Sequence, residues 1–316
     1  MPIKIDANLP ARQELENENI FVMTQDRALS QEIRPLEIAI INLMPTKEAT
    51  ELQLLRLLGN TPLQINIHLF QIEGHISKHA NQNHLERFYI SSDEIFNRKF
   101  DGMIITGAPV EQLKFEQVDY WDELCRIMDY AKKNVYSTLY ICWGAMAGLY
   151  HLYGIDKYLM GKKFSGIYKS KKLEPTEPLL RGFDDIFPVP TSRYTKIKSE
   201  DVRDNPSLTL LAENEETGMT IAKSVDNRSI FMTGHLEYDP DTLAKEYLRD
   251  VEKGLDITIP KNYFPHDNPN LVAPSTWRST AHLFYSNWLN YYVYQMTPYD
   301  LNEIREVENL ELRTEN

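Results

Sequence analysis

Three side chains of this 316-residue chain have the types and surroundings for nucleophilic acyl chemistry: Cys142, His235 and Glu237. Cys142 is one of only two cysteines and lies within YSTLYICWGAMAGLYHLYGI, Tyr136 to Ile155, which carries no Asp, Glu, Lys or Arg. A charge-free run of this length would suit a membrane span. Against that, Gly144, Gly148 and Gly154 interrupt it, and Ser137, Thr138 and His151 would each need a polar partner in lipid. Residues 135–141 are β-branched and aromatic, as in a buried strand, whereas 145–153 suit a helix. A cysteine on the sharp turn between the two has the setting of a nucleophile elbow. The backbone N–H groups of the new helix favour a negatively charged sulfur there. The alternative is a buried cysteine in an ordinary strand-to-helix connection.

A cysteine nucleophile needs a base, and the base needs an orienting acceptor. IFMTGHLEY, residues 230–238, supplies both: an apolar strand runs into Thr233 and Gly234, and His235 and Glu237 follow two residues apart. On extended backbone such a pair faces one side, so a carboxylate can hold one imidazole nitrogen while the other meets a thiol. His-x-Glu triplets are also common by chance, and only the position at a strand end singles this one out. The other histidines have weaker contexts. His75, His79 and His84 fall in a polar segment expected to be solvated loop, and His68 and His151 read as core or edge residues. His266 and His282 have no carboxylate at a suggestive spacing. Cys125 lies on an amphipathic stretch, 118–133, and reads as packing.

The elements that must position these groups alternate along the first half. LEIAIINLM from Leu36 reads as a buried strand, and Pro45-Thr46 opens a helix that stops at Gly59-Asn60. Residues 64–71 and 101–106 read as further strands, the second ending in Gly107-Ala108-Pro109. Alternation of this kind predicts an α/β fold with a mostly parallel central sheet flanked by helices. Ligands then bind at the carboxyl ends of the strands, where Lys47, Gly107-Ala108 and Cys142 would converge. The second half offers shorter strand-like pieces at 163–168, 208–212, 219–222 and 229–232. A helix is expected after Asp239-Pro240, with Asp239 as its N-cap, and an aromatic-rich helix at 288–296 packed on the body. The organisation predicted is an N-terminal arm over 1–34, one catalytic domain over 35–301 with a C-terminal helical extension, and a polar tail over 302–316.

Composition narrows the class. An apolar fraction of 42% and a charged fraction of 25% are ordinary for a globular enzyme. A net charge of −12 argues against a nucleic-acid partner. Two cysteines make neither a disulfide framework nor a zinc cluster, and the first residues lack the apolar core of a signal peptide. A cytoplasmic protein without a membrane partner or a metal site is expected.

The order of glycine-rich turn, cysteine elbow and His-x-Glu resembles the class I glutamine amidotransferase-like (flavodoxin-like) fold. More closely, the chain resembles the homoserine O-acyltransferase family of methionine biosynthesis. The stretches that carry this are INLMPTKEATE (41–51), FDGMIITGAPVE (100–111), STLYICWGA (137–145), RGFDDIF (181–187) and TSRY (191–194). To them are added TGHLEYDPDTLAKEYLRDVEKGLD (233–256), NYFPHDNP (262–269) and WLNYYVYQMTPYDL (288–301). Glutamine amidotransferases carry glycine before the elbow cysteine, glutamine four residues after it and His-Pro-Glu. Here Tyr140, Met146 and His235-Leu236-Glu237 stand in those places.

The resemblance implies acyl transfer by a ping-pong thioester mechanism: Cys142 takes the acyl group from acyl-CoA, and homoserine's hydroxyl, deprotonated by His235, accepts it. Glu237 orients His235. The backbone N–H of Trp143 is the natural oxyanion donor, with Gly107 and Ala108 as a second source. Lys47 stabilises charge or is a solvated first-turn lysine. Lys163, Ser192 and Arg249 are implied substrate contacts, although residue by residue Arg249 also reads as an exposed helix arginine near Glu246. Lys163 also reads as part of a solvated basic cluster. Glutamate at position 111 goes with acetyl-CoA in this family and glycine with succinyl-CoA, so Glu111 implies a homoserine O-acetyltransferase. No bound cofactor is expected, with acetyl-CoA as co-substrate, L-homoserine as acceptor and a homodimer as the assembly. The alternatives are the succinyltransferase, a cysteine hydrolase of the same fold and a non-catalytic redox module.

Overall fold

The computed structural model describes residues 3–6, 8–17, 22–23, 34–72 and 82–304. Its strands are β1 (Ile3–Lys4), β2 (Val22–Met23), β3 (Leu36–Ile41), β4 (Ile65–Gln71), β5 (Tyr89–Ser91) and β6 (Phe100–Ile105). They continue with β7 (Val135–Ile141), β8 (Tyr158–Lys172), β9 (Ile186–Lys196), β10 (Leu208–Asn214), β11 (Gly218–Ser224) and β12 (Ser229–Met232). The helices are α1 (Ala11–Asn17), α2 (Lys47–Leu58), α3 (Gln82–Phe88), α4 (Trp121–Asn134), α5 (Trp143–Tyr153), α6 (Ser199–Arg203), α7 (Thr242–Glu252) and α8 (Arg278–Asn287).

All twelve strands join one sheet in the order β2-β1-β4-β3-β6-β7-β12-β11-β10-β8-β9, with β5 on β4. Pairing is parallel from β2 across to β12 and antiparallel from β12 to β9. The parallel half is the fold expected from the alternating first half of the chain. Its central strands read as continuous apolar runs because both faces are covered. Ile38, Ile40 and Leu139 face a layer holding α2 and α8, while Ala39, Ile41 and Tyr140 face one holding α4 and α5. Each fully buried side chain of this kind contributes about 1.5–3 kcal/mol relative to exposure, which anchors the strand ends that carry the site.

Several elements differ from the sequence reading. β9 falls where the sequence reading placed no strand, and Pro188 and Pro190 lie within it. It is the terminal strand of the sheet, where a missing N–H breaks no ladder. The opening segment, read as an irregular lead-in, contributes β1, β2 and α1, and Leu15 of α1 is fully buried. The helix after Asp239-Pro240 begins two residues later, with Asp241 at its N-cap. Asp239 is drawn away instead to Arg56 of α2, at 2.6 Å. The aromatic stretch at 288–294 is a π-helical continuation of α8, with Trp288, Leu289, Tyr292 and Val293 buried. The charge-free run around Cys142 is β7 followed by α5, and no helix among the described residues is long and apolar enough to cross a membrane.

Candidate active site

Cys142 sits between β7 and α5 with φ 50° and ψ −114°. Non-glycine residues seldom adopt positive φ, and such strain persists only where the surroundings enforce it. They do so here: Cys142 N donates to Met232 O of β12 at 2.7 Å, and Cys142 O accepts from Met146 N at 3.1 Å, the first bond of α5. The first turn of α5 lies hard against the end of β6. A Cβ on Gly144 would come within 2.6 Å of Thr106 O, and one on Gly107 within 3.2 Å of the Cys142 Cβ. That hypothetical Gly107 Cβ would also lie 3.7 Å from Trp143 N. The N–H of Trp143, in the first helical position, precedes the intrahelical ladder, and its nitrogen lies at this junction.

The turn after β12 carries the base. Arg193 of β9, 2% exposed, donates to Thr233 O at 2.8 Å, Thr195 O at 2.8 Å and Thr217 O at 3.1 Å. Pro190 O accepts His235 N at 2.8 Å. Glycine is required at 234 because a Cβ there would meet Val189 Cγ1 at 2.2 Å. His235 Nδ1 lies 2.6 Å from Glu237 Oε1, both residues being buried. The pair forms across a turn closed by Tyr238 N on His235 O at 3.3 Å, not along the extended backbone expected from sequence. Burial pushes the imidazolium down, but the charges of Cys142 and Glu237 and hydrogen bonds to both lift His235 well above its ordinary value. Cys142 thus stands beside the hydrogen-bonded pair of His235 and Glu237. Thr106, Gly107, Ile141, His235, Glu237 and Tyr238 line a cleft beside it.

Tyr238 links this pair to a second cluster. Its ring stacks on His235 with centroids 4.1 Å apart, and its hydroxyl donates to Glu246 Oε1 at 3.0 Å. Ser192 Oγ donates to the other oxygen of Glu246. Lys163 Nζ lies 2.8 Å from Asp250 Oδ2 and 3.8 Å from Glu246 Oε2. Arg249 places Nε and Nη2 on Asp250 Oδ1, at 2.9 and 2.8 Å. Burial works against the Asp250 carboxylate, yet Lys163 and Arg249 hold it below its usual range. Thus Lys163, Ser192 and Arg249 do gather near His235, around two acids that sequence reading had not chosen. The signal was present: Glu246, Arg249 and Asp250 stand at i, i+3 and i+4 of α7 and so share one face.

Glu111 is half-buried in the turn after Gly107-Ala108-Pro109, and its charge reaches both Arg193 and Lys157.

Lys47 is not the solvated lysine that was one reading of it. It is buried, its Nζ donates to Asn42 O, and burial pushes it down to about 8 despite Glu51. It lines a neighbouring cleft with Asn42, Leu43, Gln71 and Tyr120. His84 is likewise not solvated: it is buried in α3 with Nε2 3.0 Å from Glu51. His75 and His79 lie outside the described residues. Cys125 is half-buried, and burial pushes its thiol up to about 12, which fits packing. Among the described residues no group of three or more His, Cys, Asp or Glu is arranged to hold a metal ion.

Comparison with known proteins gives this geometry a family context. The family described as homoserine O-succinyltransferase matches residues 2–299. A homoserine O-acetyltransferase of Petrotoga mobilis is 57% identical over 304 residues, 96% of this chain and 98% of that protein. One of Desulfovibrio desulfuricans is 58% identical over 306 residues, 97% of this chain and 98% of that protein. Among solved structures, a glutamine amidotransferase of Thermotoga maritima aligns with a TM-score of 0.54 at 12% identity, covering 81% of this chain and 98% of that one. One of Methylobacillus flagellatus aligns at 0.51 and 12% identity, covering 82% and 95%. Those two likenesses establish the fold, a class I glutamine amidotransferase-like α/β architecture.

Proposed function

This chain belongs to the homoserine O-succinyltransferase family, and from that premise we propose that it is a homoserine O-acetyltransferase, moving acetyl from acetyl-CoA to the hydroxyl of L-homoserine. The relatives' names supply the substrates. The observation that carries the chemistry is the hydrogen-bonded pair of His235 and Glu237, which line a cleft beside the strained elbow of Cys142.

The Cys142 thiol passes its proton to His235 as its sulfur attacks the thioester carbonyl, whose π electron pair moves onto the oxygen. Trp143 N–H, with the Gly107-Ala108 turn behind it, stabilises that oxyanion. Collapse expels the CoA thiolate, which takes the proton held by His235 and leaves an acetyl-enzyme. The hydroxyl of homoserine then attacks the acetyl carbonyl as His235 removes its proton. The second collapse breaks the C–S bond, releasing O-acetyl-homoserine, and the sulfur recovers the proton from His235. Glu237 holds the imidazole and balances its charge in both steps. For the zwitterionic acceptor, Lys163, Arg249 and Ser192 offer groups for the carboxylate, and Glu246 one for the ammonium. The half-buried Glu111 repels the distal carboxylate of a succinyl donor, which favours acetyl.

Acetyl-CoA enters as a co-substrate with no resident cofactor. The setting proposed is a cytoplasmic homodimer; the exposed Leu248, Val251 and Leu255 on and just after α7 are consistent with self-association.

The test is free-CoA release by the purified protein with acetyl-CoA or succinyl-CoA, each with and without L-homoserine. Homoserine-dependent release from acetyl-CoA is expected, together with a transiently acetylated Cys142 that disappears in Cys142→Ala. Preference for succinyl-CoA would keep the chemistry and overturn the donor. Release that ignores homoserine would identify a thioester hydrolase.

A further inference from the structure

Tyr238 lies between the base and the acceptor cluster, and the acyl-transfer steps give it no part. Its ring is face to face with the His235 imidazole, with centroids 4.1 Å apart and the planes 16° from parallel. Its own position does not depend on that contact. Tyr238 N donates to His235 O at 3.3 Å, and its carbonyl accepts Nε1 of Trp277, the N-cap residue of α8, at 3.1 Å. At the far end the hydroxyl donates to Glu246 Oε1 of α7 at 3.0 Å. The residue is buried and lines the same cleft as His235 and Glu237. A ring tied at its backbone and at its hydroxyl is a wall for the imidazole, not a side chain that follows it.

The face of an aromatic ring is electron-rich and attracts a cation held within about 6 Å of its centre. His235 becomes that cation each time it holds the proton of Cys142 or of the acceptor hydroxyl. A phenol that donates to a carboxylate is polarised by it, which deepens the attraction. The remaining groups around the imidazole are placed differently. Glu237, on the same turn, meets it at Nδ1, and Cys142 approaches from the end of β7. The α2 side chains that line the cleft, Thr50, Gln53 and Leu54, carry no charge. Arg193 of β9 is engaged by Thr233 O, Thr195 O and Thr217 O, and Lys163 of β8 by Asp250 and Glu246. On α8, the Tyr285 phenol, reached by the charge of Glu237, stays neutral.

We propose that Tyr238 is a positioning residue for acyl transfer: its ring holds the plane of His235 and favours the imidazolium through its face, while Glu246 keeps that ring in place. Tyr238 acts through His235 and touches no reacting atom. The inference rests on the reading of Cys142 and His235 as nucleophile and base.

The test is the pH dependence of kcat/KM for homoserine in the wild type, Tyr238→Leu and Tyr238→Phe. The acid limb of that profile reports the base of the acetyl-enzyme. Leucine fills much of the same space without a π face, so Tyr238→Leu is expected to move the limb down by about 0.5 pH unit. Tyr238→Phe keeps the face and should restore most of that shift. A packing role alone would lower the rate at every pH and leave the limb in place. A limb that stays put or moves up in Tyr238→Leu therefore overturns the proposal. The same shift is read without turnover by NMR titration of the His235 imidazole in Cys142→Ala carrying each substitution. A wild type without homoserine-dependent CoA release overturns the transferase reading, whereas an unmoved titration overturns the stacking role itself. Should Tyr238→Leu not fold, Tyr238 is replaced by phenylalanine and by pentafluorophenylalanine, which keep the ring shape while fluorine drains its face. His235 is then expected to titrate lower beside the fluorinated ring, and equal titrations overturn the proposal.

Discussion

Cys142 shows how much a single residue can reveal and how much it leaves to its neighbours. A cysteine between a β-branched run and a glycine-punctuated helix is legible as an elbow from local sequence, and it does adopt the strained φ of 50°. Its base was legible only as a pair of residue types. The alternation argument for His235 and Glu237 assumed extended backbone, whereas a tight turn brings their side chains together at 2.6 Å. The pair has a pH signature. His235 is raised above its unfolded value of about 6.5, so its protonation stabilises the fold below that pH, and this contribution is lost as pH rises through the raised value. Glu237→Gln removes one cause of the rise. Urea unfolding should therefore show a wild-type advantage over Glu237→Gln that is larger at pH 6 than at pH 9.5; a constant or growing difference would contradict the pairing. Glu111 is tested by donor choice. Glu111→Gly should raise kcat/KM for succinyl-CoA at least about tenfold by removing a like-charge contact, and an unchanged ratio of donors would refute the pocket argument.

Elements carry these residues to their places, and their junctions are tight. The end of β6 and the first turn of α5 approach so closely that only glycine fits at 144, where a Cβ would meet Thr106 O at 2.6 Å and Ile105 O at 2.8 Å. Gly144→Ala should push the helix start away from β6, costing about 1–3 kcal/mol of stability and disturbing the Trp143 N–H. Thermal melts and CoA-release assays on the one variant would detect both effects, and a fully active, equally stable variant would show that the junction yields freely. α7 is the other deciding element. Its spacing places Glu246, Arg249 and Asp250 on one face, but which body that face meets depends on β8 and β9, distant in sequence. Lys163 and Ser192 arrive from those two strands. Likewise the burial of His84 depends on Glu51, from a helix more than thirty residues earlier.

At the scale of the whole molecule, one sheet joins an early parallel half to a late antiparallel half, and the site lies at the join, where β7 meets β12. β3, β6, β7 and β12 are covered on both faces and should exchange their amide hydrogens only through global unfolding. The short edge strands β1 and β2 should exchange through local opening. Native-state exchange in which β7 opens as readily as β1 would break this picture. Residues 36–58 and 135–153 were legible from sequence alone because their signals are local: unbroken apolar runs for strands covered on both faces, and turn residues at helix starts and stops. With the motif stretches of 233–256, they determined the fold class, the elbow and the family resemblance. Tertiary structure alone decided that the proline-bearing β9 is an edge strand whose Pro190 and Arg193 hold the turn of His235. It alone placed Lys47 and His84 in the interior, and set Glu246 and Asp250 among Lys163, Ser192 and Arg249. The physical reason is the same in each case: periodicity along a chain tells which face of an element is apolar or charged, while the partner that satisfies that face is chosen by packing between segments far apart in sequence.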